Sequence, residues 1–190
     1  AALTGAGQFI VQGGGSVTVG VNNQFLKGTY LKDGELRMGV QNGNVLGTSL
    51  LTEGGTLYTC FDNSSDSYVS VSTPMTMAEG TALDVYLSRY AYWMSSLSGN
   101  GTLNIYAGGE RSYLGNEKGA KYPDWNGFSG TVNVYPYKEV VSTAGFYGVI
   151  LGHGGKTFNP AEIEESLSSG KVNTMFENSV LVLHDGTALA

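Results

Sequence analysis

The densest group of reactive side chains lies in GGERSYLGNEKGAKYPDWNGF, residues 108–128. It holds Glu110, Arg111, Glu117, Lys118, Lys121 and Asp124, with Tyr113, Tyr122 and Trp125 between them. Glycoside hydrolysis needs an acid and a base carboxylate facing one bond, and polysaccharide elimination needs a basic group beside a charge-neutralising one. Glu110 with Asp124, or Lys121 beside Asp124, offers the residue types for either. Six charges of mixed sign in one loop read more simply as a solvated network, and no second reactive cluster exists to complete a cleft. No catalytic residue is therefore assigned. The stretch is taken instead as a carbohydrate-contact candidate through Arg111, Tyr113, Tyr122, Asp124 and Trp125, because long loops on a rigid scaffold are where binding sites sit.

A second stretch, VILGHGGKTFNPAEIEESL, residues 149–167, has the look of a phosphate loop. Gly155, Lys156 and Thr157 match its end, but the position that should carry the first glycine holds Ile150, which does not readily take a positive φ. Asn159 as N-cap, Pro160 at the first helical position, and Glu162, Glu164 and Glu165 behind them predict a short helix near 160–168 whose carboxylates repel phosphate. A nucleotide site is excluded. His153 and His184 have no recognisable partners, and with Cys60 they make no metal set. No serine nucleophile elbow and no calcium-binding loop occurs. No cofactor or metal is expected.

The elements that would position such residues are short strands. Glycine is 29 of 190 residues and charged residues are only 14%, so turn formers and β-formers stand where helix formers usually would. Apolar residues, at 41%, recur in short patterned runs, which excludes a disordered chain. The net charge of −6, with no Lys or Arg block, argues against nucleic acid as a partner. No apolar run reaches the roughly 20 residues of a membrane-spanning helix. The length fits one domain, 1–190.

One phrase keeps returning: glycine, usually threonine, then an alternating apolar pair. It occurs as GELRM at 34, GTLYT at 55, GTALDVYL at 80, GTLNIY at 101, GTVNVYPY at 130 and GTALA at 186. A period in the twenties with one alternating strand per unit predicts a solenoid in which each unit buries its apolar face against its neighbours. Leu103, Ile105, Val132, Val134 and Leu57 are expected to point inward, with Asn104 and Tyr106 outward. Tyrosine reaches 12 residues, with Tyr86, Tyr90, Tyr92 and Trp93 in YLSRYAYWM and Tyr106, Tyr135 and Tyr137 at outward strand ends; a solenoid would align exposed rings into a ladder along one face, where ring faces suit sugars.

GTYLKDGELRMGVQNGNVLGTSLLTEGGTLYT, residues 28–59, resembles the autotransporter passenger-associated β-strand repeat, and SLSGNGTLNIYAGGERSYLG and FSGTVNVY repeat parts of its pattern. The resemblance covers residues 25 to 135 and 177 to 190, with long insertions at 106 to 127 and 151 to 178. It implies an all-β, right-handed parallel β-helix in a secreted or surface-exposed passenger protein, as a stalk or adhesin-like element. The expected function is a non-catalytic β-helical segment at the cell surface, with a polysaccharide or cell-surface glycan as partner. A fragment of a β-helical polysaccharide lyase or glycoside hydrolase is the alternative. The chain begins at Ala1 with neither an initiator Met nor a leader, so a fragment of a longer protein or a processed one is expected; the repeat runs to the last residue, where HDGTALA begins a new unit, so the chain is expected to continue into, or stack on, further coils.

Overall fold

Alternation of inward apolar and outward polar residues in short runs, separated by glycine corners, makes strands that need a neighbour on both sides. In the computed structural model they find it. The structure describes residues 3–20, 23–25, 27–39, 45–59, 69–87, 91–108, 112–115, 123–137, 147–151 and 175–189. Among these, every regular element is a β-strand, and every pairing is parallel. No helix of the described residues is long and apolar enough to cross a membrane. The helix expected near 160–168 lies outside the described residues, as do Cys60 and His153.

The strands fall into three rows. The first holds β2 (Phe9–Val11), β5 (Thr29–Leu31), β7 (Leu50–Thr52), the start of β10 (Met75–Leu87), the start of β12 (Leu97–Ala107) and β14 (Gly127–Phe128). The second holds β3 (Ser16–Val19), β6 (Glu35–Met38), β8 (Thr56–Tyr58), the ends of β10 and β12, β15 (Thr131–Pro136) and β17 (Val180–Leu183). These two rows form one 11-stranded sheet. The third row, a 5-stranded sheet, holds β9 (Val69–Val71), β11 (Ala91–Trp93), β13 (Tyr113–Leu114), β16 (Tyr147–Leu151) and β18 (Thr187–Leu189). A 2-stranded pair, β1 (Thr4–Gly5) with β4 (Gln24–Phe25), completes the strands. From β7 to β14 the chain visits the three rows in order and then returns to the first, as in Met75–Met77, Thr81–Leu87, Ala91–Trp93 and back at Leu97. The seven-strand path from β2 to β17 spans about 29 Å at the ~4.8 Å spacing of neighbouring strands.

Inward residues stack in columns. Val17, Leu36, Leu57, Val85, Ile105, Val134 and Leu183 share one register, and Leu83, Leu103, Val132 and Leu181 share the next. From Leu36 to Val134 the first column has no solvent exposure. Burial on this scale is the main favourable term holding the strands together. Trp93, Leu114 and Val71 line the core from the third row. The stretch 106 to 127, expected as one long insertion, contributes β13 to that row and sends Trp125 into the core. It is part of the stack as well as a loop.

The recurring glycine is explained at the corner between the first two rows. The carbonyl oxygens of Gly15, Gly34 and Gly55 accept hydrogen bonds from the N–H groups of Glu35, Thr56 and Asp84, one coil further on, at 2.8, 2.9 and 3.1 Å. A Cβ on Gly34 would lie 2.5 Å from the Gly15 oxygen, and one on Gly55 2.7 Å from the Gly34 oxygen. Only glycine lets one corner sit on the next. The spacing of β10 differs: after Met77 pairs with Gly99, Thr81 pairs with Gly101, so Ala78, Glu79 and Gly80 stand opposite Asn100 alone. This is a bulge.

Candidate functional site

In-register parallel strands place identical outward residues at strand spacing, about 4.8 Å. That distance lies within the range over which aromatic rings stack. The second row uses it. Arg37, Tyr58, Tyr86, Tyr106 and Tyr135 occupy one register position on β6, β8, β10, β12 and β15, and His184 continues the line beyond β17. Ring centroids are 4.6 Å apart for Tyr58–Tyr86, 4.4 Å for Tyr86–Tyr106, 5.1 Å for Tyr106–Tyr135 and 4.0 Å for Tyr135–His184, with interplanar angles of 6 to 19°. At the other end the Arg37 guanidinium lies 4.1 Å from the Tyr58 centroid, a cation–π contact. Arg37 also donates from Nη2 and Nε to Glu35 Oε2, at 2.7 and 3.1 Å, and this pairing holds the Glu35 carboxyl below its usual range.

Two residues earlier on the same strands runs a polar row. Asn104 Nδ2 donates to Asp84 Oδ1 at 2.8 Å, and Asn133 Nδ2 donates to Asn104 Oδ1 at 2.9 Å. His184 Nε2 meets Asn133 Oδ1 at 3.2 Å. A carboxylate only accepts, so Asp84 orients each amide in turn, and the last oxygen in the chain requires His184 Nε2 to carry a proton. His184 therefore closes both rows: its ring stacks on the last tyrosine and its nitrogen ends the amide chain.

Burial is the largest cause that raises the Tyr86 phenol to about 12, followed by Tyr106, Tyr58 and Asp84. Tyr106 is raised by burial, then by Asp84 and Tyr135. Unfolded tyrosine titrates near 10, so the folded chain holds protons that the unfolded chain releases. Stability from this source is intact below about pH 10 and falls as pH rises toward 12. Phenolate absorbance and far-UV circular dichroism, followed together, should show the last phenols ionising only as the β signal is lost. Full ionisation near pH 10 with the β signal unchanged would contradict the buried stack.

The carbohydrate-contact candidates divide. Arg111 and Tyr122 lie outside the described residues, as do Glu110 and Lys121. Asp124 is exposed, with Oδ1 accepting from the Asn126 N–H at 3.0 Å. Tyr113 is buried at 4% exposure and stacks on Tyr92 at 5.0 Å. Trp125 is 1% exposed, edge-on to Trp93 and Phe176, and its Nε1 donates to the Ser95 carbonyl at 3.0 Å. Neither of these two rings presents a face at the surface, because Tyr113 stands on a third-row strand against Tyr92 and 123–137 turns inward to put Trp125 beside Trp93. Trp125→Phe keeps an aromatic plug but strands the buried Ser95 carbonyl, so it should cost about 1–3 kcal/mol in a urea unfolding experiment.

The expected tyrosine ladder is present with a different membership and a different use. Tyr86, Tyr106 and Tyr135 are in it; Tyr137 instead packs edge-on against Tyr86 at 4.9 Å and 71°, Tyr92 and Trp93 stand on β11 in the third row, and Tyr90 lies outside the described residues. Tyr58, Arg37 and His184 complete it, although sequence reasoning left them aside. Each inner ring has both faces covered by its neighbours, so the row offers edges and hydroxyls, not faces. The signal was there: Tyr106 and Tyr135 each stand five residues after the repeat glycine. Tyr86 stands six after Gly80 because of the bulge, and Tyr58 three after Gly55, which hid the common register.

No protein-family model matches the chain, and no curated protein matches it.

Proposed function

We propose that this chain is a non-catalytic, stalk-like segment of a secreted or cell-surface protein, folded as a right-handed parallel β-helix. Three rows of parallel strands visited in fixed order support the β-helix, and parallel crossovers are right-handed in nearly all proteins. The observation that carries the functional reading is the continuous second-row ladder. Its rings cover one another and its amides bond to one another, so side chains that would serve a cleft are used to lock coil to coil. Asp84 is held by Asn104, and Asp124 is bound to its own turn. The resemblance to passenger repeats supports the same role and the surface location. Leu183, 42% exposed although Leu36 to Val134 in its column are fully buried, and Leu189, 39% exposed, support stacking on further coils.

Glycan contact belongs to this reading through the amide row. Asn104 and Asn133 each spend one N–H and one oxygen lone pair along the row, which leaves each a further donor and acceptor for sugar hydroxyls. The test is a glycan array on the purified chain with a parallel assay for new reducing ends or unsaturated products. Binding without product, weakened by Asn104→Ala and Asn133→Ala, is the expected result. Product formation overturns the non-catalytic reading in favour of a polysaccharide-cleaving enzyme.

A further inference from the structure

Tyr58, Tyr86, Tyr106 and Tyr135 form an unbroken run of four phenols, and the inner pair is the closest and flattest, at 4.4 Å and 6°. Parallel, in-register strands send both side chains off the same face of the sheet, and the two rings lie nearly parallel in stacking contact. Where two phenols meet in this way, the carbons ortho to the hydroxyls, Cε of one ring and Cε of the other, are opposed. These are the carbons that carry unpaired spin in a phenoxyl radical and are free to couple, since the para carbon already bears Cβ. Tyr86 and Tyr106 are half-buried, which leaves ring edges within reach of a small oxidant while the stack holds the partners together. Holding two reactants at contact turns a bimolecular coupling into an intramolecular one.

We propose that Tyr86 and Tyr106 are a site of oxidative cross-linking, joined as dityrosine by hydrogen peroxide and a haem peroxidase or an equivalent one-electron oxidant. Each phenol gives up one electron and one proton. The two phenoxyl radicals form a Cε–Cε bond, and the hydrogen on each coupled carbon shifts to its oxygen, restoring both phenols. Hydrogen peroxide takes the two electrons and two protons and leaves as two waters. The product lacks two hydrogens relative to the starting chain and covalently ties β10 to β12. This chemistry rests on the stack alone and stands whether or not the chain is a stalk.

The test is treatment of dilute protein with a haem peroxidase and hydrogen peroxide, then proteolysis and mass spectrometry, with dityrosine fluorescence as a second readout. The expected result is a cross-linked peptide joining Tyr86 to Tyr106 within one chain, with a yield independent of protein concentration and several-fold above that of urea-unfolded chain. Tyr86→Phe with Tyr106→Phe keeps the stacked rings but leaves no two adjacent phenols in the ladder, so ladder cross-links should vanish. Absence of the Tyr86–Tyr106 peptide from folded wild-type protein overturns the proposal, as does a yield of that peptide that rises with concentration. The wild-type peptide map decides the matter even if the variant does not fold.

Discussion

Leu103→Ala lowers the free energy of unfolding by about 2–5 kcal/mol, while Asn104→Ala, one residue along the same strand, costs about 1 kcal/mol. Leu103 is fully buried between Leu83 on β10 and Val132 on β15. Those neighbours are fixed by backbone ladders on both sides, so the cavity left by the lost methyls cannot collapse. Asn104 faces the other way, half-buried, and gives up its contacts with Asp84 and Asn133 where water can replace them. Urea midpoints compared at a common slope would measure the difference. Equal losses from the two substitutions would remove the inward and outward alternation on which the coil register rests.

A glycine series separates two reasons for glycine in and just before the repeat phrase. Gly99→Ala should cost about 2–5 kcal/mol, combining roughly 1–2 for a side chain at positive φ with about 1–3 for overpacking. Gly99 has φ 99, and a Cβ there would overlap the carbonyl oxygen of Met77 on β10. That oxygen belongs to a sheet backbone, so nothing flexible can yield. Gly80→Ala isolates the first cause, because φ is 71 but the space around it is open; about 1–2 kcal/mol is expected. Gly130→Ala isolates the second: its φ is not in the left-handed range, yet a Cβ would overlap the Gly101 carbonyl, and about 1–3 kcal/mol is expected. Thermal or urea unfolding of the three variants should rank Gly99→Ala worst. If Gly80→Ala proved the most damaging, close stacking of the corners would not be what keeps glycine in the phrase.

The second row was legible because its strands obey a period of two and begin from a fixed glycine. Leu57, Leu103, Ile105, Val132 and Val134 are all buried as their pattern requires, and Asn104 and Tyr106 face outward. The third row was harder. Tyr113–Leu114 is two residues long, too short to show alternation, and its place is dictated by Tyr92 and Trp93 on the coil before. Composition alone made Tyr113 and Trp125 resemble surface contacts, since a loop rich in charge and aromatics has the same make-up whether its rings face solvent or fill a gap. His184 carried no local signal at all: what gives it a role is Asn133 and Tyr135, some fifty positions earlier. Register across coils of unequal length is information that the three-dimensional ladder holds and a linear reading does not.

The equivalence of successive corners has a last consequence, for length. The Leu50 N–H bonds to the Pro74 carbonyl just as the Met75 N–H bonds to that of Ser96, so positions 74 and 96 are the same place on consecutive coils. Excising 75–96 whole would bring Leu50 onto Leu97, Leu57 onto Ile105 and Tyr58 onto Tyr106, shortening the molecule by one strand spacing, about 4.8 Å, with every column intact. Removing one residue fewer would turn inward side chains outward along the rejoined strand. Along the described sheet, length thus comes in whole strand spacings, a quantised property that a sequence can change by duplication or loss of a unit but not by increments.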